Sequence, residues 1–148
     1  MSATTKRDAA SRGSALAEAW RKFDTARAAL AVWVLALPPE AIDRDNVGWV
    51  QVAMRGICAL LTEAREGYEN AHLISGLPGM EPLFACSFAD MAEAALWSYM
   101  EGGAAPAVAD LAATANQVLA YLADFERSHG ATRAGGVGPA AAAEGGAA

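Results

Sequence analysis

The chain has 148 residues and a formal net charge of −6 at pH 7, from 17 Asp and Glu against 11 Lys and Arg. This length suits a single domain, and the acidic balance disfavours nucleic-acid binding because an acidic surface repels phosphates. Apolar residues make up 54% of the chain, many of them alanine, and segments typical of strands are missing. The composition therefore predicts an all-α fold.

The first predicted helix begins near Ser14, a residue type that caps helices, and ends before Pro38 and Pro39. Residues 1–13 are polar, lack the apolar stretch of a secretory signal and are expected to form a flexible arm. Residues 28–37 are apolar but too short to cross a bilayer. We therefore expect a cytoplasmic protein without a membrane span. The residues expected to face the core are Leu16, Trp20, Phe23, Leu30, Val34 and Leu37.

The second predicted helix is capped by Asp45 or Asn46 and runs to about Ile74. Its apolar residues recur every three or four positions, as one face of a helix requires. They are Val47, Val50, Met54, Ile57, Leu61, Ala64, Tyr68 and Ala71. Gly56 and Gly67 interrupt this pattern, each at a cost of up to about 1 kcal/mol relative to alanine. A break near Gly67 would give a five-helix orthogonal bundle instead.

Two further helices complete the predicted fold. Pro82 suits the first turn of the third helix, and Gly102 and Gly103 end it. The residues expected to face the core from this helix are Phe84, Phe88, Met91, Ala95 and Tyr99. Pro106 opens the fourth helix, which runs to about Ser128. Its expected core residues are Val108, Leu111, Ala115, Val118, Leu122 and Phe125.

Connections of roughly three to nine residues favour helices that run alternately up and down. The sequence thus predicts an antiparallel four-helix bundle over residues 14–130. Residues 131–148 consist largely of Gly and Ala and are expected to be a disordered tail, since they offer almost no large apolar side chain to bury. We expect that this tail can be deleted without unfolding the domain.

Both histidines of the chain follow a glutamate by three residues, Glu69 before His72 and Glu126 before His129. Residues at this spacing share a helix face, so one carboxylate and one imidazole can reach the same metal ion. The repeated pair resembles the ligand pattern of ferritin-like di-iron carboxylate bundles, which implies further glutamates from the other helices. Glu81, at the start of the third helix, would lie at the same end of the bundle.

Helical phase argues against this metal site. At 100° per residue, His72 lies close to the apolar face of its helix, whereas Glu69 points roughly 100° away from it. The first helix offers only Glu18, on the side opposite its apolar residues. The chain also lacks a glycine-rich phosphate loop and a nucleophile elbow. The favoured expectation is therefore no metal, no cofactor and no catalytic residue.

Trp97 falls in the polar sector of the third helix. The other members of that sector are Ser87, Asp90, Glu93, Ser98 and Glu101. A tryptophan exposed among carboxylates is typical of a contact anchor at a protein interface, and burial against a second face of a central helix is the alternative. The other tryptophans, Trp20, Trp33 and Trp49, are expected to pack at or beside the inner face.

Cys58 and Cys86 lack the spacing of a metal-binding or redox pair, so we expect buried thiols. The sequence therefore predicts a small non-enzymatic interaction or assembly protein that binds a protein partner or a second copy of itself. Its small size and lack of motifs are typical of accessory factors of phage and plasmid systems. Two alternatives are the di-metal carboxylate protein and a bundle that holds a small apolar ligand between helices.

Overall fold

A computed structural model describes residues 3–37, 41–71 and 79–134. Four helices follow one another: α1 (Ala3–Ala36), α2 (Val47–Ala71), α3 (Glu81–Met100) and α4 (Val108–His129). A 3-10 turn (Gly130–Ala134) ends the described chain. Each helix packs on the next along the chain, and α4 packs back on α1. The protein is therefore the predicted four-helix bundle, and no strand occurs in the described residues.

The core of α2 and of α4 follows the predicted spacing closely. Every predicted core residue of these two helices is buried except Val50 and Val108, which are half-buried. Four aromatic rings fill one end of the core: Trp20 stacks on Phe125 at 4.9 Å between ring centroids, and Phe23 and Tyr68 meet the edges of Phe125. Among the described residues, no helix is apolar over a length that would span a bilayer.

Helix α2 is continuous through both of its glycines, so the five-helix alternative is wrong. A Cβ atom added at Gly56 would meet no other heavy atom within 4 Å, and one at Gly67 would lie 3.7 Å from the Cβ of Ala19. The cost of two glycines is small against the apolar area that 25 helical residues bury between α1 and α3. Packing therefore overrides the local preference.

Helical structure is also present before residue 14 and after residue 130. Helix α1 begins at Ala3, because Ala, Lys and Arg favour helix and a helix already held by packing from Leu16 onward extends at little cost. At the other end, Thr132 is fully buried within the 3-10 turn. The remainder of the predicted tail, residues 135–148, lies outside the described residues.

The predicted core face of α3 is rotated from the one observed. Tyr99 is buried as predicted, but Met91 is 60% exposed and Phe84 is 41% exposed. The residues that α3 buries are Pro82, Ala85, Cys86, Ala89, Ala92, Leu96 and Tyr99. Ala85, Ala89 and Ala92 form much of this buried face, whereas the larger side chain of Met91 lies outside it. Phe84 and Phe88 instead pack against Tyr121 of α4.

Candidate functional site

Two of the predicted metal ligands are held by arginines instead. Glu69 pairs with Arg65 at 3.3 Å within α2. Glu126 accepts a hydrogen bond from Arg27 at 2.5 Å and pairs with Arg133 at 3.2 Å. These contacts direct the carboxylate of Glu126 toward α1, because both arginines lie on that side of α4.

Glu81 and His129 do come together, around Gly79. A Cβ atom at Gly79 would collide with the carboxylate of Glu81 and would lie 3.2 Å from Cε1 of His129. One oxygen of Glu81 and Nδ1 of His129 are buried without a hydrogen-bond partner. His72 lies outside the described residues, and within them no three His, Cys, Asp or Glu side chains are placed to share a metal ion. The di-metal site therefore stays a prediction.

Trp97, in the polar sector of α3, is 44% exposed. Glu93 lies one turn before Trp97, and Asp90 lies one turn before Glu93. Glu101 lies one turn after Trp97. The spacings of three and four residues place all four side chains on one face. A large apolar ring is thus bracketed by carboxylates.

A second exposed tryptophan stands on α2. Trp49 is 80% exposed, contrary to the expectation that it packs beside the inner face, and Val52 is 60% exposed. An open groove of about 390 Å³ lies between the start of α2 and the end of α3. The residues that line it are Arg44, Asp45, Val47, Gly48, Trp49, Val52 and Met100. Trp97 is not one of these lining residues, but it precedes Met100 on α3 by one turn.

The end of the groove is held by the turn that precedes α2. Arg44 donates hydrogen bonds to the carbonyl oxygens of Tyr99 at 2.5 Å and of Gly103 at 3.0 Å, and its guanidinium lies 4.5 Å above the Tyr99 ring. The carbonyl of Tyr99 also accepts the backbone N–H of Gly102 at 3.1 Å, so this helix end is satisfied by two donors. Asp43 and Asn46 each accept a backbone N–H of the other at 2.9 Å. These contacts fix the turn against the end of α3.

The contact between α2 and α3 next to Trp97 contains polar and acidic side chains. Gln51, only 2% exposed, donates a hydrogen bond to Glu93 at 2.6 Å and so directs that carboxylate toward α2. Burial raises the pKa of Cys58 to about 12, with further contributions from Asp90 and Glu93. Burial also raises the pKa of Cys86. Both cysteines are buried free thiols, which confirms the expectation for them.

The groove belongs to a half of the bundle with a distinct surface. Ion pairs among the described residues involve positions 18–27 of α1, 63–69 of α2 and 124–133 of the C-terminal region. We call the opposite half, where α1 and α3 end and α2 and α4 begin, the apolar half. It exposes Val32, Leu35, Trp49, Val52, Met91 and Trp97. Met80, Leu83 and Phe84 are exposed at the start of α3, outside this half.

The helical phase of Trp49 in the sequence could have identified it as exposed. Two residues after Val47, it lies about 200° around α2, which is opposite the buried face. Val52 and Met100 carry no comparable signal, since their role depends on the distance between α2 and α3. Comparisons with family models, with curated proteins and with solved structures found no match for this chain.

Proposed function

We propose that this protein is an interaction or assembly protein of the cytoplasm whose apolar half binds a helical segment of a partner protein. The proposed site is the α2–α3 groove, whose lining includes Gly48, Trp49, Val52 and Met100, together with the exposed Trp97 one turn before Met100 on α3. The observation that carries the proposal is Trp49, which leaves 80% of its surface exposed at the edge of the groove. Burying a tryptophan in a partner is typical of the residues that dominate binding energy at interfaces.

The shape of the groove suits a helix. It lies between two antiparallel helices, and amphipathic helices dock into apolar grooves of this kind through side chains one turn apart. The bonds that Arg44 makes to the end of α3 hold both walls in place before binding. A site that is already ordered loses little conformational entropy when a partner binds.

The location in the cytoplasm is supported by the free state of both cysteines. Cys58 and Cys86 are free thiols, although each lies in the interface of α2 with α3 and Cys86 contributes to the electrostatic environment of Cys58. Structural disulfides are typical of secreted proteins and rare in the cytosol.

Site-specific photo-crosslinking in living cells tests this function. A photoreactive amino acid replaces Val52 in the groove, and the matched control carries it in place of Met80, which is similarly exposed at 54%. We expect a discrete adduct from position 52 and none of that mass from position 80. The partner, once purified, should bind wild-type protein and lose at least about tenfold in affinity for Trp49→Ala.

Two results would overturn the proposal. One is equal crosslinking from positions 52 and 80, which would indicate random collision. The other is a purified partner whose affinity is unchanged by Trp49→Ala. An adduct of twice the mass of the chain would identify the partner as a second copy of this protein.

A further inference from the structure

The charges beside the α2–α3 groove are predominantly acidic. Asp90, Glu93 and Glu101 follow the α3 face that carries Trp97, and Asp45 lines the groove from the turn before α2. Glu93 accepts a hydrogen bond from the neutral amide of Gln51, so its negative charge is not neutralised. None of these four carboxylates forms an ion pair with another described residue.

Two cations lie in the same region. Arg44 is engaged with the carbonyls of Tyr99 and Gly103, where a positive charge is stabilised by the C-terminal end of the α3 dipole. Arg55 lies one turn after Gln51 and Val52 on α2, is exposed and makes no ion pair with a described residue. Four carboxylates against two guanidinium groups, one of them bound to the end of α3, leave an acidic margin around an apolar groove.

We propose that the segment bound in the α2–α3 groove is a basic amphipathic helix, whose apolar side chains contact Trp49, Val52 and Trp97 while its Lys and Arg side chains pair with Asp90 and Glu101. This inference rests on the proposed function and specifies the chemistry of the partner. Apolar contact supplies most of the affinity, and the carboxylates select a basic segment over a neutral or acidic one.

The raised pKa of Cys58 supports an acidic potential along this margin. Asp90 and Glu93 both add to the effect of burial on the thiol, so their charges act across the interface of α2 and α3. An acidic potential at an apolar surface attracts a cationic helix before contact and repels an anionic one. Binding should therefore weaken as salt rises, since the carboxylates are accessible to screening ions.

Three synthetic 18-residue helices provide the probe. They share one leucine face and carry Lys, Gln or Glu on the other positions. Titrations of the full-length protein, followed by fluorescence anisotropy of labelled peptide, should give an affinity at least about tenfold higher for the Lys helix than for the Glu helix. The affinity for the Lys helix should fall as salt rises from low to physiological concentration and above.

Variants that remove negative charges test whether Asp90 and Glu101 cause the preference for the Lys helix. The double variant Asp90→Asn with Glu101→Gln should weaken binding of the Lys helix roughly threefold or more and flatten its salt dependence. Glu66→Gln is the control, because Glu66 is also exposed but lies about 20 Å further along α2 from Val52. It should leave both quantities unchanged. Circular dichroism of each variant verifies that the bundle is folded.

The outcomes separate this inference from the function on which it rests. Equal affinity for the Lys, Gln and Glu helices, or equal losses in Glu66→Gln and the double variant, would overturn the basic-helix inference. If the three helices bind wild-type protein equally and all lose binding in Trp49→Ala, the groove stands as a binding site without charge selection. If no helix binds, the inference is overturned, and crosslinking at position 52 decides the proposed function independently.

Discussion

The indole Nε1 of Trp20 donates a hydrogen bond of 2.8 Å to the hydroxyl of Thr132, which lies 112 residues further along the chain. Thr132 in turn donates to the carbonyl oxygen of His129 at 2.7 Å. The guanidinium of Arg133 lies 4.4 Å above the Trp20 ring and binds both oxygens of Asp24, at 2.6 and 2.8 Å. The 3-10 turn therefore ties the end of α4 to the middle of α1.

Thr132→Val should lower the free energy of unfolding by about 1 to 3 kcal/mol. Valine keeps the shape of threonine but leaves the buried indole N–H of Trp20 without an acceptor. The control is Thr25→Val, because the hydroxyl of Thr25 bonds the carbonyl of Arg21 on the exposed face of α1. Urea unfolding should show a change within about 0.5 kcal/mol for this control. Equal losses in both variants would remove the structural role assigned to Thr132.

Truncation separates the 3-10 turn from the segment after it. A chain that ends at Ala134 should melt within a few degrees of the full chain, since residues 135–148 contain almost no large apolar side chain. A chain that ends at Gly130 should melt several degrees lower, because it loses the contacts of Thr132 and Arg133. Identical thermal melts of the two truncated chains would contradict this account.

The sequence predicts the buried faces of α2 and α4 well because each contrasts a regularly spaced apolar face with a mostly polar or small remainder, to which Trp49 and Val52 of α2 are exceptions. The burial of Ile57 and Leu122 follows from that contrast, and both side chains are only 4% exposed. Helix α3 offers no such contrast. Met91 and Leu96 are both large and apolar, yet they lie on different faces. Which of them is buried depends on how closely α2 and α4 approach, and that distance is a property of the whole fold.

Only part of the candidate site could be predicted from the sequence. Trp97 could be identified because the residues around it on the helix face are carboxylates. The groove itself could not, since it requires Gly48 of α2 and Met100 of α3 to meet. Their closeness is shown by the 3.9 Å between Sδ of Met100 and a Cβ atom placed at Gly48. The anchoring of Arg44 on Tyr99, 55 residues away, has no local sequence signal either.

Gly56→Ala should raise the free energy of unfolding by roughly 0.5 to 1 kcal/mol. The added methyl group meets no atom within 4 Å, and alanine has the higher helix propensity. Gly102→Ala should do the opposite, since Gly102 has a φ of +103°, a conformation that a residue with a Cβ atom rarely adopts. Chemical unfolding of both variants measures these changes. A loss of stability in Gly56→Ala would contradict the continuous, open helix face observed there.

The unfolding free energy should decrease as the pH rises from about 8.5 toward 12. The pKa of Cys58 is about 12 in the folded protein, whereas an exposed thiol has a pKa near 8.5, so the unfolded chain releases its proton first. The contribution of the Cys58 thiol to the free energy of unfolding is fully present below about pH 8.5. Above that pH it decreases by at most about 1.4 kcal/mol per pH unit. Urea unfolding at several alkaline pH values measures the slope, which should be smaller in Cys58→Ala. An unchanged slope in that variant would contradict the assignment.

The four indole N–H signals of the protein report on the α2–α3 groove with two internal controls. Trp49 and Trp97 lie at the groove, whereas Trp20 and Trp33 are 3% and 9% exposed. In a ¹H–¹⁵N spectrum, with signals assigned from single Trp→Phe variants, adding the Lys helix should shift or broaden the signals of Trp49 and Trp97 and leave those of Trp20 and Trp33 in place. Unchanged signals from Trp49 and Trp97 would contradict the assignment of this groove as the binding surface, as would changes confined to Trp20 and Trp33.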